Sequence, residues 1–324
     1  MTEATPTPLG QSITAWLAHQ RCLGRGYDHE QRVLAHLQRF LASINAIDLD
    51  QAGFDHWCAS LTHLSPTTRR GRQLAVRKFC LFRQRTEPAC FVPDPLYFAR
   101  LCPYRRPVII EPSQVAQMLV VTDRLTPTII SPLLPWVMHL AVVILYTAGL
   151  RRGELARLTL DDVQVQSGVL RIRASKFHKT RLVPLSPTAN QALQAYLRNR
   201  LAAPFDTKPD APLLCCGTRG HHGYTGAGLG NAINRLFLAA NVTDAEGRRP
   251  RVHDLRHSFA VQALIRWYRD GADVQSNLPR LAIYMGHVSI VSTAHYLHFL
   301  PAMRQLASER FEAAFGDVVQ EAPA

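Results

Sequence analysis

His253-Asp254-Leu255-Arg256-His257 is followed by Gly286-His287 and then, nine residues after His287, by Tyr296. Imidazoles that handle protons or hydrogen bonds, a guanidinium for non-bridging oxygens and a phenol able to attack phosphorus suit metal-free cleavage of a phosphodiester. His253 and Arg256 stand three apart at the start of a predicted helix, so they share a face. A helix N-terminus also favours an anion there. Arg151, in Thr147-Ala148-Gly149-Leu150-Arg151-Arg152-Gly153-Glu154-Leu155, follows a Gly-containing bend that would aim a second guanidinium into a cleft. Two such planar forks neutralise a pentacovalent phosphorane well. Lys176, between two predicted strands, can protonate a leaving oxygen if nearby arginines lower its pKa. The Tyr296 phenol, with a solution pKa of about 10, needs neighbouring cations to favour its phenolate. Each residue alone also has a structural reading: helix cap, solvated charge, strand-tip lysine or core tyrosine. Tyr284 is read in that structural way.

These groups need a scaffold. Residues 11 to 85 read as helices only, with Ile13, Trp16, Leu17 and then Val33, Leu34, Leu37, Phe40, Leu41 at helical spacing. Ser65-Pro66 predicts an N-cap with proline at the first helical position. The helix it starts carries Arg69, Arg70, Arg72, Arg77, Lys78, Arg83 and Arg85, with Leu74, Phe79 and Phe82 on an apolar side. Those cations fit either a solvated face on a core helix or a face laid against DNA phosphates. Residues 86 to 112 hold six prolines and read as an extended linker with Arg100, Arg105 and Arg106. Helices are predicted at 113–122, 131–149, 187–202, 227–240, 253–270, 277–285 and 289–297, with a last one near 301–315. Val163 to Gln166, the turn Ser167-Gly168, Val169 to Arg173 and Arg181 to Leu185 form a predicted β-unit. Residues 204–224 read as a loop.

Composition sets the bounds. The 324 residues suit two domains, and 47% hydrophobic content supports a packed core. Lys and Arg outnumber Asp and Glu by 37 to 24, giving a net charge of +13 that draws polyanions, most commonly nucleic acid. Seven cysteines without a C-x-x-C pair read as reduced thiols in a cytoplasmic protein. The N-terminus has no signal-peptide pattern. The apolar run Leu133 to Leu150 is broken by Pro135 and His139 and reads as a core helix, so no membrane partner is expected.

The stretches GLRRGEL, KFHKTRLVPL, HDLRHSFA, MGH and Tyr296 resemble the signature boxes of the tyrosine recombinase (phage integrase) family, in order and spacing, over residues 113 to about 300. The resemblance implies a mainly α fold with a small β-sheet. A helical SAM-like core-binding domain (11–104) would follow a flexible N-terminus (1–10), and a linker (105–112) would lead to a mixed α/β catalytic domain (113–300). A tail (301–324) would either pack on its own domain or dock into a neighbour's, and analogy favours the latter. It also implies that Arg151 and Arg256 are the catalytic arginines and Lys176 the acid toward a 5′-hydroxyl. His253 would assist proton transfer, His287 would bond the phosphate, and Tyr296 would form a 3′-phosphotyrosyl link. Glu154 would support the site. The glycine-rich turn of the family is here Ser175-Lys176-Phe177-His178-Lys179, which leaves Lys179 as a rival acid or a DNA contact.

The implied activity is site-specific strand cleavage and rejoining without cofactor, on double-stranded DNA sites. A nucleoid-associated tetramer would do the work, with or without accessory or related recombinases. A type IB topoisomerase-like enzyme and a catalytically inert DNA-binding protein are the alternatives. A metal-dependent nuclease or transposase is less well served, since no clustered carboxylate set stands out and His221-His222 lies in a Gly-rich loop.

Overall fold

A computed structural model describes residues 8–103, 105–173 and 180–287, together with Thr293 and Tyr296. The chain divides into two compact units, Met1–Arg105 and Arg106–Ala324.

The first unit holds helices α1 (Pro8–Cys22), α2 (Asp28–Ser43), α3 (Gln51–Ser60) and α4 (Pro66–Arg83). Ile13, Trp16 and Leu17 of α1 and Val33, Leu34, Leu37 and Leu41 of α2 are buried, which is the face their spacing predicts. Helix α4 starts as expected: Ser65 Oγ accepts from the Thr68 N–H at 3.3 Å, and Pro66 takes the first turn. Its Phe79 is buried and Phe82 half-buried, but Leu74 is exposed. Two residues before the buried Val76, Leu74 falls about 200° around the helix and faces away from the core.

The proline-rich stretch after α4 contains one 3₁₀ turn, Pro95–Tyr97, and is packed along much of its length. Phe98 is buried, the Ala99 N–H donates to Gln73 Oε1 at 3.0 Å, and Arg70 Nη1 donates to the Ala99 carbonyl at 3.2 Å. Beyond Arg105, Val108 and Ile110 are buried in the second unit.

That unit contains α5 (Pro112–Asp123), α6 (Leu134–Thr147), α7 (Arg152–Ala156), α8 (Pro187–Ala202), α9 (Gly226–Ala239), α10 (Val252–Arg269) and α11 (Val274–Met285). Its three-stranded antiparallel sheet runs β1 (Val163–Gln164), β2 (Val169–Ile172), β3 (Arg181–Pro184), with Val163 opposite Leu170 and Ile172 opposite Arg181. Gly168, at φ 63°, makes the turn between β1 and β2. Leu170, Ile172 and Val183 point into the core. The most apolar helix, α6, lies at the centre of the unit, packed on α5, α8 and α10. No described helix is long and apolar enough to cross a membrane.

Two expectations are corrected. Residues 204–224 are not only loop: β4 (Cys215–Cys216) pairs antiparallel with β5 (His222–Gly223). Each is only two residues long, and the Pro-, Gly- and His-containing stretch around them shows no alternation. Helix α11 begins at Val274, three residues early, because Asp273 Oδ1 accepts from the Gln275 and Ser276 N–H groups at 2.9 and 3.2 Å. The helices predicted at 289–297 and 301–315 lie outside the described residues, apart from Thr293 and Tyr296.

Candidate active site

The site is built where α6, α7, β3, α10 and α11 end or begin. After α6, Gly149 adopts φ 59°, and a Cβ there would stand 2.4 Å from the Phe259 ring. This bend aims its carbonyl at α10 and leads to Arg151 at the start of α7. Glu154, one turn on, is only 4% exposed. Its carboxylate accepts from the Arg151 N–H at 2.9 Å, from Arg151 Nη1 at 2.7 Å, and from Arg181 Nη1 and Nη2 at 3.0 and 2.8 Å. Burial alone would raise this carboxyl, but the bonds from Arg181 and Arg151 outweigh it and hold it at about 2. Glu154 is therefore an anion that anchors two cations.

Helix α10 is fixed at its start by a buried polar seam. Asp254 accepts from the Arg251 N–H at 2.8 Å and from Arg251 Nη2 at 2.9 Å. Ser258 Oγ donates to the Asp254 carbonyl and accepts from the Ile110 N–H, both at 2.8 Å. One turn into the helix, Arg256 is 1% exposed. Its Nη1 donates to the Gly149 carbonyl and its Nη2 to the Met285 carbonyl, each at 2.6 Å. Burial, then the nearby Arg151 charge, pull this guanidinium down to about 10, so it stays charged at neutral pH.

The end of α11 joins the two arginines. Arg151 Nη2 donates to the Gly286 carbonyl at 2.8 Å, next to the Met285 carbonyl that holds Arg256. Arg181 Nε donates to the Tyr284 carbonyl at 3.0 Å. Three consecutive carbonyls at a helix C-terminus, where the dipole is negative, thus each take a different arginine. Gly286 is left-handed at φ 67°, and a Cβ on it would lie 2.8 Å from Arg181 Nη1.

Tyr296 is 3% exposed and packs with Ala260, Leu264, Leu281 and Met285. Its hydroxyl lies 3.0 Å from His257 Nδ1, and its ring stacks on His287 at 6.2 Å between centroids. His287 Nδ1 is 2.7 Å from Thr293 Oγ1. His253 sits against His257, ring edge to face, at 4.7 Å. Burial lowers His257 and His287 to about 4; after burial, His253 acts most strongly on the first and Arg256 on the second. His253 is lowered as well: its outer edge is exposed, but crowding by protein atoms and the Arg256 charge disfavour its cation. Tyr284, read as structural, stacks on Phe259 and donates to the Pro184 carbonyl at 3.1 Å.

The structure thus gathers Arg151, Glu154, His253, Arg256, His287 and Tyr296, all singled out in sequence. Lys176 and Lys179 lie outside the described residues. Two members were not singled out. Arg181 stands in the KFHKTRLVPL stretch and starts a predicted strand, but nothing in the sequence assigns it a role in the site. His257 stood inside the quoted motif, four residues after His253 and so on its helical face.

In the first unit the cations divide. Arg77 Nη1 donates to the Pro93 carbonyl and Arg70 to Ala99, so both brace the following segment. Arg83 is buried and paired with Asp48 and Glu87. Arg69 and Arg72 are half-buried, and Lys78 and Arg105 are exposed, as is Arg106 at the start of the second unit.

Residues 110–303 match the phage integrase family. The chain is 37% identical over 204 residues to the putative integrase/recombinase y4rE of Sinorhizobium fredii, spanning 63% of this chain and 64% of that protein. It is 28% identical over 319 residues to the putative integrase/recombinase y4rB of the same organism, spanning 95% and 98%. The tyrosine recombinase XerC of Pelotomaculum thermopropionicum is 36% identical over 157 residues, 48% and 47% of the two chains. A Tn1549 transposon integrase, solved with circular intermediate DNA, shares the fold at TM-score 0.61 and 20% identity over 89% of this chain and 94% of that one. XerH bound to difH does so at TM-score 0.60 and 18% identity, over 89% and 80%.

Proposed function

The chain belongs to the phage integrase family, the tyrosine site-specific recombinases, and from that premise we propose that Tyr296 is its nucleophile toward double-stranded DNA. The observation that carries this is the convergence of Arg151 and Arg256, 105 residues apart in sequence, on the adjacent carbonyls of Gly286 and Met285. Two arginines fixed on successive carbonyls suit a tetrahedral phosphate, whose non-bridging oxygens need fixed donors. The Arg256 Nε–H is buried with no hydrogen-bond partner among the described residues. Leaving such a donor unpaired costs about 1–3 kcal/mol, which a phosphate oxygen would offset.

In the reaction, the Tyr296 oxygen bonds to phosphorus and the 5′-oxygen leaves, giving a 3′-phosphotyrosyl link. A 5′-hydroxyl then attacks that link and releases the phenol, so bond energy is kept and no external energy source is needed. Arg151 and Arg256 hold the non-bridging oxygens, and Glu154, itself braced by Arg181, holds Arg151 in place. Lys176 donates the proton to the leaving oxygen, and His287 hydrogen-bonds the phosphate. Exposed Lys78, Arg105 and Arg106, with Arg69, Arg70, Arg72, Arg77 and Lys179, supply contacts to the DNA backbone.

Exchange between duplexes calls for four copies on two sites. An open cavity of about 510 Å³, lined by Tyr146, Phe259, Trp267, Leu281 and Tyr284, suits the amphipathic residues 301–315 of a neighbouring copy. The seven unpaired cysteines suit a reducing cytoplasm.

The test is to incubate the protein with a nicked-duplex library from sheared genomic DNA, denature, and recover covalently bound DNA for sequencing. Wild type should yield one sequence class, and Tyr296→Phe none. Adducts that persist in Tyr296→Phe would reject the nucleophile. A wild type that binds a site without forming adducts would favour the inert DNA-binding reading.

A further inference from the structure

We infer that His257 is the base that takes the proton of the Tyr296 hydroxyl during cleavage and returns it during rejoining. This rests on the reading of Tyr296 as nucleophile and deepens it. Of the three histidines in the site, His257 alone has a ring nitrogen shown within hydrogen-bond distance of the phenol oxygen, at 3.0 Å. His287 stacks on the tyrosine ring, and its Nδ1 engages Thr293. His253 meets His257 edge to face at 4.7 Å.

The placement is held by groups that cannot easily drift. At about 100° per residue, His253, Arg256 and His257 share one arc of α10. Arg256 locks that arc through the Gly149 and Met285 carbonyls. A phosphate held by Arg256 therefore stands beside the same arc, and the attacking oxygen must approach along it. His253 also packs against the His257 ring, which restricts its rotation.

The electrostatics agree. The groups facing His257 are His253, Asp254, Arg251 and Arg256 of its own helix and helix start, with Tyr296 across from it. Burial, and then the adjacent His253, keep the ring neutral in the free protein, and in the tautomer protonated at Nε2 its Nδ1 offers a lone pair to the phenol. A bound phosphodiester adds negative charge nearby and raises the proton affinity of the ring. In the forward step the Tyr296 oxygen gains its bond to phosphorus, its proton passes to His257 Nδ1, and the 5′-oxygen departs with its electron pair to be protonated. Rejoining reverses each transfer. No oxidant or further reactant is required.

The alternative is that His257 only holds Tyr296 in its covered position. Three variants separate the two on the nicked DNA recovered with wild type, by the rate of adduct formation between pH 6 and 9.5. His257→Asn keeps an acceptor near the Nδ1 position but cannot carry a proton. His257→Phe removes the acceptor, and His257→Ala opens space for added imidazole. A general base contributes about 100-fold or more, so His257→Asn and His257→Phe should both slow at least that much at neutral pH. Their rates should climb with pH, and imidazole should speed His257→Ala. Wild-type rates in His257→Asn, a pH-independent loss, or faster adduct formation in His257→Phe would overturn the inference. If Tyr296→Phe still forms adducts, it is the nucleophile assignment that fails.

Discussion

Arg181 and Glu154 face each other with two parallel hydrogen bonds of 3.0 and 2.8 Å, joining the edge of a sheet to a helix of five residues. The same carboxylate also holds Arg151. One buried anion thereby fixes the direction of a cation that it does not neutralise completely. Replacing Glu154 by Gln leaves two partly buried guanidiniums without their counter-charge. Breaking a buried pair in this way costs about 3–5 kcal/mol. Glu154→Gln should lower the denaturation midpoint of the second unit and abolish adduct formation. An unchanged midpoint would show that Arg181 finds another partner.

Acid should act on the same carboxylate. Its folded pKa of about 2 lies below its ordinary 4.5, so its contribution is complete above pH 4.5 and is lost as pH falls toward 2. The gap is worth on the order of 3 kcal/mol. Denaturant titrations at pH 5 and pH 3 should show the first part of this loss, and Glu154→Gln should lack it.

Histidines govern a higher window. His257 and His287 sit at about 4 when folded, below the ordinary 6.5, so the folded state binds fewer protons than the unfolded chain between those values. Stability from this source is complete above pH 6.5 and declines as pH falls toward 4. Unfolding midpoints measured from pH 7.5 to 4.5 should fall, and His257→Gln with His287→Gln should flatten that slope.

Gly149→Ala should damage the site from a distance. An alanine there is strained at φ 59° and drives its Cβ into Phe259. Strain of this kind costs about 1–3 kcal/mol. The Gly149 carbonyl that holds Arg256 must shift, so adduct formation should drop at least tenfold while DNA binding persists in a gel-shift assay. Normal cleavage would show that the bend tolerates a side chain.

The basic residues of α4 should separate by role. Lys78→Ala, at an exposed position, should weaken DNA binding and reduce the salt dependence of affinity by about one unit of log–log slope. Arg77→Ala should also lower the melting temperature, since Arg77 braces the Pro93 carbonyl. Equal melting temperatures would remove the bracing role.

Residues 1–300 should form adducts on single sites yet fail to join two duplexes, if the tail seats in the cavity beside Trp267. Trp267→Ala should mimic the truncation. Native gels with two labelled duplexes measure this directly, and normal pairing by both would reject that use of the cavity.

Legibility in the sequence followed periodicity and chemical type. Helices such as α8 and α10 were readable because their apolar stripes are long, and the β1–β2 turn because Gly168 punctuates it. Arg151, Arg256 and Tyr296 stood out by type and spacing. Arg181 did not, since its role depends on reaching a carboxylate 27 residues away. The bracing by Arg70 and Arg77 was hidden for the same reason: the sequence shows a charge, but not the carbonyl that receives it. The paired β4 and β5, two residues each, carried no pattern that the sequence reading could use.

The three carbonyls that close α11 give the site a shared hinge pin. Tyr284, Met285 and Gly286 each hold one arginine, so a slight turn of that helix end re-aims all three cations together. The arginine set should therefore move as a unit, so that a change at this one helix end arms or disarms the whole site.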